Sequence, residues 1–230
     1  MVLQAMRADS GTWRRTGLAV LAVAVYLAMW FGWKLGWPWV MTADASALDA
    51  AHRIGVEHPS WVISWNVLCT VFSPMTFRVL TLGLIVFALV RRQFRPALFL
   101  FLSVELSALV TEVAKWLADR PRPDTAMVHA LGTSFPSGHA LGSMVAVLAL
   151  AAVLAPHVRR SLWPWATAAA VLIVVLVGAG RVALNVHHPS DVVAGWALGY
   201  LYFAVCLPVL RKRDPVTATD GTPAAPGTAR

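Results

Sequence analysis

Charged side chains are scarce in this chain. Only 13% of its 230 residues are Asp, Glu, Lys or Arg, about half of the roughly 25% typical of soluble domains. Apolar residues make up 58% of the sequence, and the mean hydropathy is +0.66. The shortage of charge excludes an ordinary soluble domain and predicts an integral membrane protein.

Cysteine is almost absent as well. Cys69 and Cys206 are the two in the sequence, and they fall near opposite membrane faces in the topology predicted below. A disulfide between them is therefore not expected, because bridged Cα atoms must lie within about 7 Å. Two cysteines this far apart also form no pattern typical of a metal site.

A signal-peptide cleavage site is missing too. The apolar run Leu18–Phe31 follows a charged N-terminal segment, but Gly32, Trp33, Lys34 and further tryptophan come after it, and no small-residue cleavage site follows. We therefore interpret this run as a retained first membrane helix.

Long apolar runs, in contrast, are abundant. A bilayer span needs about 20 mostly apolar residues, and six runs come close, so we predict an all-α bundle of six transmembrane helices. We divide the chain into an N-terminal segment 1–16, a membrane domain 17–210, and a tail 211–230 whose Pro, Thr, Ala and Gly predict disorder. The six runs are about 17–36, 75–90, 96–117, 139–156, 163–181 and 190–210.

The long connection 41–74 carries a possible amphipathic surface helix. Its apolar residues at near-helical spacing are Ala47, Leu48, Ala51 and Ile54, and its polar positions include Asp44, Asp49, His52 and Arg53.

The net charge of +8 does not indicate nucleic-acid binding, because the basic residues cluster at the ends of apolar runs. Such clusters mark cytoplasmic loops. With six spans threaded up and down, they place both termini in the cytoplasm, and we expect the plasma membrane as the location. The clusters are Arg7, Arg14 and Arg15; Arg91, Arg92 and Arg95; Arg159 and Arg160; and Arg211, Lys212 and Arg213.

Three short stretches on the opposite, extracytoplasmic side carry polar chemistry: Lys115–Pro123, Pro136–His139 and Arg181–Asp191. Charges kept in a membrane protein usually have a function. Cations, two imidazoles and one carboxylate together suit attack on a phosphate. The candidate residues are Lys115, Arg122, Ser137, Gly138, His139, Arg181, His187 and Asp191.

The prolines near these residues predict that two of the three stretches lie at the start of a helix. Pro136 suits the first turn of a helix, so Ser137 and Gly138 would present backbone N–H groups to an anion. Pro189 suits the start of the last helix, which leaves His187 just before it and Asp191 in its first turn. The carboxylate could then hold one imidazole nitrogen while the other points outward as a nucleophile.

These motifs resemble the type-2 phosphatidic acid phosphatase superfamily, which includes vanadium haloperoxidases and bacterial acid phosphatases. The family signatures are K-x6-R-P, P-S-G-H and S-R-x5-H-x3-D. The chain matches the first two in full and the third except at Gly180, where the family has serine. The resemblance covers roughly residues 17–210.

The resemblance implies a role for each residue. His187 would be the nucleophile, Asp191 would orient it, and His139 would protonate the leaving oxygen and later activate water. No metal or other cofactor is implied, because the cations stand in for one. The phosphate-binding residues would be Lys115, Arg122, Ser137, Gly138 and Arg181.

The resulting hypothesis is a membrane phosphatase for a lipid phosphate or diphosphate, such as phosphatidic acid, phosphatidylglycerol phosphate or undecaprenyl diphosphate. A lipid phosphotransferase using the same intermediate is an alternative. A non-hydrolytic lipid-binding or transport protein is another, motivated by Glu105 and Glu112 within a span. A haloperoxidase conflicts with the membrane spans. The partners expected are the lipid substrate and membrane lipids, and the oligomeric state stays open.

Several other polar residues have weaker claims. Arg120 forms a second Arg-Pro pair, but its distance from Lys115 does not fit the signature. His188 is interpreted as a cap or rim group beside the nucleophile. The remaining histidines considered, interpreted as exposed loop residues, are His52, His58 and His129.

Overall fold

The computed structural model describes the backbone of residues 2–210 and the side chains of residue 13 and residues 15–210. Within that part of the chain every regular element is helical, and the predicted tail 211–230 lies outside the described residues. A π-helical turn at Phe101–Glu105 joins α5 to α6. The α-helices are α1 Val2–Lys34, α2 Pro38–Glu57, α3 Pro59–Val71, α4 Pro74–Val90, α5 Phe94–Leu100, α6 Ser107–Ala118, α7 Gly138–Leu154, α8 Trp163–Ala183 and α9 Pro189–Leu210.

Six helical segments of the described chain are long and apolar enough to cross a membrane, as the sequence predicted. Large apolar side chains cover the outside of the bundle, which is the reverse of a soluble protein and fits lipid as the surrounding solvent. The segments are Arg15–Lys34, Pro59–Val90, Phe94–Ala118, Gly138–His157, Arg160–Ala183 and Pro189–Leu210.

The second segment differs from the prediction. The sequence placed it at 75–90 and treated 41–74 as a connection, whereas helix already resumes at Pro59 and runs as α3 to Val71. A short turn then leads into α4, where Ser73 caps the helix by accepting a hydrogen bond from the Thr76 N–H at 3.1 Å. The predicted loop is therefore largely helix, and α3 packs against α8.

Helix α2 occupies the stretch in which an amphipathic surface helix was predicted, but its buried face differs from the predicted one. Leu48 and Ala51 are buried as expected, whereas Ile54 is exposed. Asp44, predicted on the polar face, is only 2% exposed and lies against protein. The helix thus presents a carboxylate to the interior of the fold.

Helices α7 and α9 cross very closely, because two glycines four residues apart face the crossing. A Cβ at Gly195 would lie 2.7 Å from the Ser137 carbonyl oxygen, and one at Gly199 would lie 2.8 Å from that of Leu141. Small residues at this spacing let membrane helices approach backbone to backbone. The crossing fixes the start of α7 beside the start of α9, where two of the three motifs lie.

An aromatic cluster on α1 supports the loop between α6 and α7. The ring of Phe135, which is fully buried, lies 5.6 Å from the ring of Trp30 and 6.3 Å from that of Trp33, measured between centroids. At the end of α1, the Lys34 ammonium donates a 3.0 Å hydrogen bond to the Ala118 carbonyl, which lies at the negative end of α6. The first helix is therefore tied to the loop that carries Arg120 and Arg122.

Candidate active site

Segments from distant parts of the chain meet at one end of the bundle. The end of α6 and the loop after it approach the turn between α8 and α9, where the Arg122 Nη1 group donates to the Val186 carbonyl at 2.7 Å. The same nitrogen lies 3.2 Å from His187 Nε2. In the other direction, the Ser137 N–H donates to the Asp191 carbonyl at 2.9 Å. The structure thus brings together the three stretches that the sequence singled out.

His187 is held in one tautomer by its neighbours. A guanidinium can only donate hydrogen bonds, so the His187 Nε2 atom facing Arg122 must carry the lone pair. The proton of a neutral ring then sits on Nδ1, which lies 3.7 Å from Asp191 Oδ2. This distance is longer than a hydrogen bond, and Nδ1 has no other partner in the described structure.

Burial lowers the pKa of His187 to about 4, and the positive charges of Arg181 and Arg122 act in the same direction. The Asp191 carboxylate raises this pKa, but its effect is smaller than the sum of the lowering effects. The side chain is therefore neutral at physiological pH, and its Nε2 lone pair faces Arg122. That is the state a nitrogen nucleophile requires.

Arg122 is anchored by backbone carbonyls. In addition to Val186, its Nε donates to Gly132 at 3.0 Å and its Nη2 to Leu131 at 2.7 Å. Gly132 has a φ of +68°, which a glycine adopts without cost. Burial and the charge of Arg181 lower the pKa of Arg122, yet a guanidinium remains charged in proteins. The anchored fork therefore holds a fixed positive charge beside His187.

Two buried polar atoms nearby have no hydrogen-bond partner in the described structure: Ser137 Oγ and Arg181 Nε. Ser137 is fully buried and Arg181 is 7% exposed. Buried donors are rarely left unpaired in a folded protein. An oxyanion bound at this end of the bundle would supply the missing acceptor for both.

The start of α7 differs in detail from the prediction. The helix begins at Gly138, so Pro136 lies before it and not in its first turn. The Ser137 N–H is already bonded to Asp191, which leaves Gly138 and His139 as the free backbone donors expected at a helix start. Within α7, His139 lies close enough to interact electrostatically with His187, Lys115, Arg122 and Arg181.

Lys115 lies one turn from the end of α6 and faces the loop. A Cβ added at Gly132 would lie 3.9 Å from its ammonium, and the Thr133 hydroxyl donates to its carbonyl at 3.4 Å. The lysine, Arg122 and Arg181 form a set of positive charges that we call the cationic cup. No three His, Cys, Asp or Glu side chains of the described residues converge to hold a metal ion.

Sequence reasoning missed Asp44 and misjudged Arg120. Both residues are 2% exposed, and their side chains form an ion pair of 2.8 Å. Arg120 also pairs with Asp191 Oδ1 at 2.7 Å. The Arg-Pro repeat could have signalled Arg120, whereas Asp44 lies 146 positions before Ser190, its partner on α9. Nothing in the local pattern predicts such a contact.

Gly180, where the family signature has serine, lies on α8 and faces α3. A Cβ at this position would lie 2.6 Å from Cys69 Sγ and 3.0 Å from Trp65 Cε3. The Cys69 side chain thus occupies the space that a residue 180 side chain would need. It also interacts with Arg181 through its thiol.

The other histidines and Glu105, which had weaker claims from the sequence, lie in different environments. His188 donates its backbone N–H to Asp191 Oδ2 at 2.8 Å, and its Nδ1 lies 3.1 Å from the same oxygen. His129 and His58 are exposed, whereas His52 is half-buried in α2 and not in a loop. Glu105 accepts a 2.7 Å hydrogen bond from the Thr81 hydroxyl, which makes it a paired contact between membrane helices.

The fold and the site together define a multi-pass membrane protein with the cationic cup and a neutral histidine at one end of its bundle. A family model described as the PAP2 superfamily matches residues 96–215, and the chain belongs to that superfamily, as the motifs predicted.

Two curated relatives are similar to part of this chain. Phosphatidylglycerophosphatase B of Bacillus subtilis (strain 168) is 35% identical over 117 residues, which are 49% of this chain and 57% of the relative. Undecaprenyl-diphosphatase of Sulfolobus acidocaldarius is 32% identical over 116 residues, 47% of this chain and 52% of the relative. The chain therefore spans just over half the length of these relatives.

A solved structure shares the architecture. It is titled as the first transmembrane PAP2 type phosphatidylglycerolphosphate phosphatase from Bacillus subtilis. The TM-score is 0.63 at 25% sequence identity, and the alignment covers 85% of this chain and 95% of that one.

Proposed function

We propose that this protein is an integral membrane phosphatase that hydrolyses a lipid phosphate or lipid diphosphate through a phosphohistidine at His187, without a metal ion. The observation that carries the proposal is the 3.2 Å approach of Arg122 Nη1 to His187 Nε2. This contact supports the proposal because the cation that would bind the phosphate lies beside the atom that would attack it. The unpaired donors of Ser137 and Arg181 support an oxyanion as the missing ligand.

Arg122 has two N–H groups to offer a substrate. One is the Nη1 N–H now directed at His187 Nε2. This donor becomes free when the lone pair of Nε2 attacks phosphorus. The other is on Nη2, which uses one of its two N–H groups in the contact with Leu131. Two parallel N–H groups are suited to binding two oxygens of one phosphate.

The reaction would proceed in two steps. His187 Nε2 attacks phosphorus while the bond to the lipid oxygen breaks, and His139, which enters this step as an imidazolium, gives its extra proton to that oxygen. His139 then takes a proton from water, whose oxygen attacks the phosphohistidine and releases inorganic phosphate and free His187. Asp191 stabilises the positive charge that the His187 ring gains in the intermediate.

The cationic cup would stabilise the charge of the transferring phosphoryl group. Lys115, Arg122 and Arg181 provide the positive charge that metal ions supply in many other phosphoryl-transfer enzymes. The backbone N–H groups at the start of α7 add a helix-terminus anion site. These donors come from separate elements, and Arg122 is already anchored by backbone carbonyls before the substrate arrives.

A substrate whose tail stays in the bilayer and whose phosphate reaches the cup fits this position at the end of the spans. Phosphatidic acid, phosphatidylglycerol phosphate and undecaprenyl diphosphate are the candidates. The names of the two relatives include one monophosphate and one diphosphate lipid, so we propose the class and not the individual lipid.

We propose a plasma-membrane location with the cup on the extracytoplasmic side and both termini in the cytoplasm. Arg91, Arg92, Arg159 and Arg160 lie in connections at the bundle end opposite the cup, as the positive-inside rule requires. In this proposal residues 17–210 form the catalytic membrane domain, 1–16 and 211–230 are cytoplasmic, and α2 lies at the outer surface.

The test is phosphate release from a panel of purified lipids by the protein in detergent, with the His187→Ala variant as the blank. The panel contains the three lipids named above. Release by the parent protein and none by the variant is expected. Equal release by both would refute the proposal. Recovery of the phosphoryl group on a lipid or sugar acceptor in place of water would instead indicate the transferase.

A further inference from the structure

Asp191 is held by a buried charge network that extends to a distant helix. Its Oδ1 accepts a 2.7 Å hydrogen bond from Arg120 Nη1, and Arg120 Nη2 donates at 2.8 Å to Asp44 Oδ2. The network joins α2, the loop after α6 and the first turn of α9. All three residues are at most 2% exposed.

Ser190 completes the network. Its hydroxyl accepts from Arg120 Nη1 at 2.7 Å and donates to Asp44 Oδ2 at 2.6 Å. Its backbone N–H donates to Asp44 Oδ1 at 2.9 Å. That N–H is one of the first in α9, where a helix has unpaired donors and a positive end. Asp44 therefore caps α9 from another helix, just before Asp191.

We propose that Asp44 and Arg120 are positioning residues for the phosphoryl-transfer step, acting through Asp191 on His187. This inference rests on the proposed function. The fork of Arg120 fixes Asp191 Oδ1, so that Oδ2 remains directed toward the Nδ1 atoms of His187 and His188.

The charges in the network explain why two carboxylates are present. With Arg120 between them, Asp44 and Asp191 leave one net negative charge buried beside His187. A lone Arg120–Asp191 pair would be neutral, and it would stabilise the positively charged ring of the phosphohistidine less. Asp44 thus lets Arg120 orient Asp191 without cancelling its charge.

An alternative is that the network only stabilises the fold, since removing one member of a buried ion pair usually destabilises a protein. The two explanations predict different kinetics. Neither Asp44 nor Arg120 belongs to the cationic cup, so a positioning role predicts slower turnover with unchanged phosphate binding. A purely structural role predicts that the cup deteriorates together with turnover.

The experiment uses the full chain in detergent with the best lipid of the panel. The variants are Asp44→Asn, which keeps the shape of the side chain, and Arg120→Lys, which keeps the charge but not the fork. Matched controls on the exposed side of α2 are Asp49→Asn and Arg53→Lys. The readouts are kcat and the inhibition constant of inorganic phosphate.

We expect kcat to fall about 10-fold to 100-fold in both variants, by analogy with the range typical for residues that orient metal ligands through hydrogen bonds. The phosphate inhibition constant should stay within about twofold of the parent, and the controls should match the parent. A kcat within about twofold of the parent would overturn the inference, and so would an equal worsening of kcat and phosphate inhibition. If Arg120→Lys does not fold, the same criteria apply to the isosteric Asp44→Asn.

A double-variant comparison tests the route through Asp191. In an Asp191→Asn background, Asp44→Asn should lower the residual kcat less than twofold, because the residue through which it acts is already gone. The same fold-loss in both backgrounds would overturn the inference. A parent protein without phosphatase activity would refute the proposed function itself, whereas an active parent with fully active Asp44 and Arg120 variants would refute this inference alone.

Discussion

Replacing Arg122 with lysine tests how much the forked guanidinium group contributes to kcat/KM. In the free protein the guanidinium makes hydrogen bonds to the carbonyls of Gly132, Leu131 and Val186, and a contact with His187 Nε2. A lysine ammonium is a single point of charge and cannot reach these groups and a substrate phosphate in the same geometry.

The magnitude follows from the lost phosphate contact. A hydrogen bond from a charged group contributes about 1.5–3 kcal/mol, and each 1.36 kcal/mol is tenfold in rate. If Arg122→Lys keeps one of two phosphate bonds, kcat/KM should fall by roughly 10-fold to 150-fold. In the proposed function the same fork binds phosphate in the ground state, so the inhibition constant of inorganic phosphate should also rise.

The assay is phosphate release under initial-rate conditions, with phosphate as the competing inhibitor. Arg53→Lys, an exposed arginine on α2, is the matched control and should behave like the parent. Wild-type kcat/KM and unchanged phosphate inhibition in Arg122→Lys would refute the reasoning, because Arg122 would then be an interfacial anchor and not a phosphate ligand.

Further outcomes are expected for changes of pH, for residue 180, and for EDTA and vanadate. Because the pKa of His187 is lowered to about 4, its protonation should not limit kcat/KM until the pH nears 4. A half-loss near pH 6.5, after correction for substrate ionisation, would contradict this. The same shift means that below about pH 6.5 the unfolded chain binds more protons, so stability should fall toward pH 4, measurable as a lower Tm. Gly180→Ser should destabilise by about 1–3 kcal/mol through overpacking against Cys69. A lower Tm that Cys69→Ala partly restores is expected, with Gly83→Ser, where a Cβ meets nothing within 4 Å, as the control. An unchanged Tm in Gly180→Ser would contradict the crowding. Activity should survive EDTA and be inhibited by vanadate, which mimics the five-coordinate phosphoryl group; loss with EDTA that Mg²⁺ restores would overturn the metal-free mechanism.

The sequence was most informative where its constraints were simple. Alternating apolar runs fix which chain ends share a membrane face, so the spacing of Lys115, His139 and His187 already predicted that they would meet. Proline and aspartate at the start of the last run predicted the helix start at Pro189, and the structure has it there. These inferences needed only helix geometry and the thickness of a bilayer.

The sequence was least informative about the residues that support the site. Asp44 looked like a polar residue on an amphipathic helix, because a buried carboxylate is recognised only through its partner. That partner, Arg120, is 76 positions away in the chain. Helix α3 was missed for a related reason: Ser64, Asn66 and Thr70 interrupt its apolar run. Its burial depends on α8, which the local pattern does not show.

The most direct test of the central claim is trapping of the phosphoenzyme. The protein is mixed with a lipid phosphate labelled in its phosphoryl group and quenched in alkali, where phosphohistidine survives, and the labelled residue is then located. The account predicts label on His187 in the parent protein and none in the His187→Ala variant. Label retained by that variant, or label found on another residue of the parent, would contradict it.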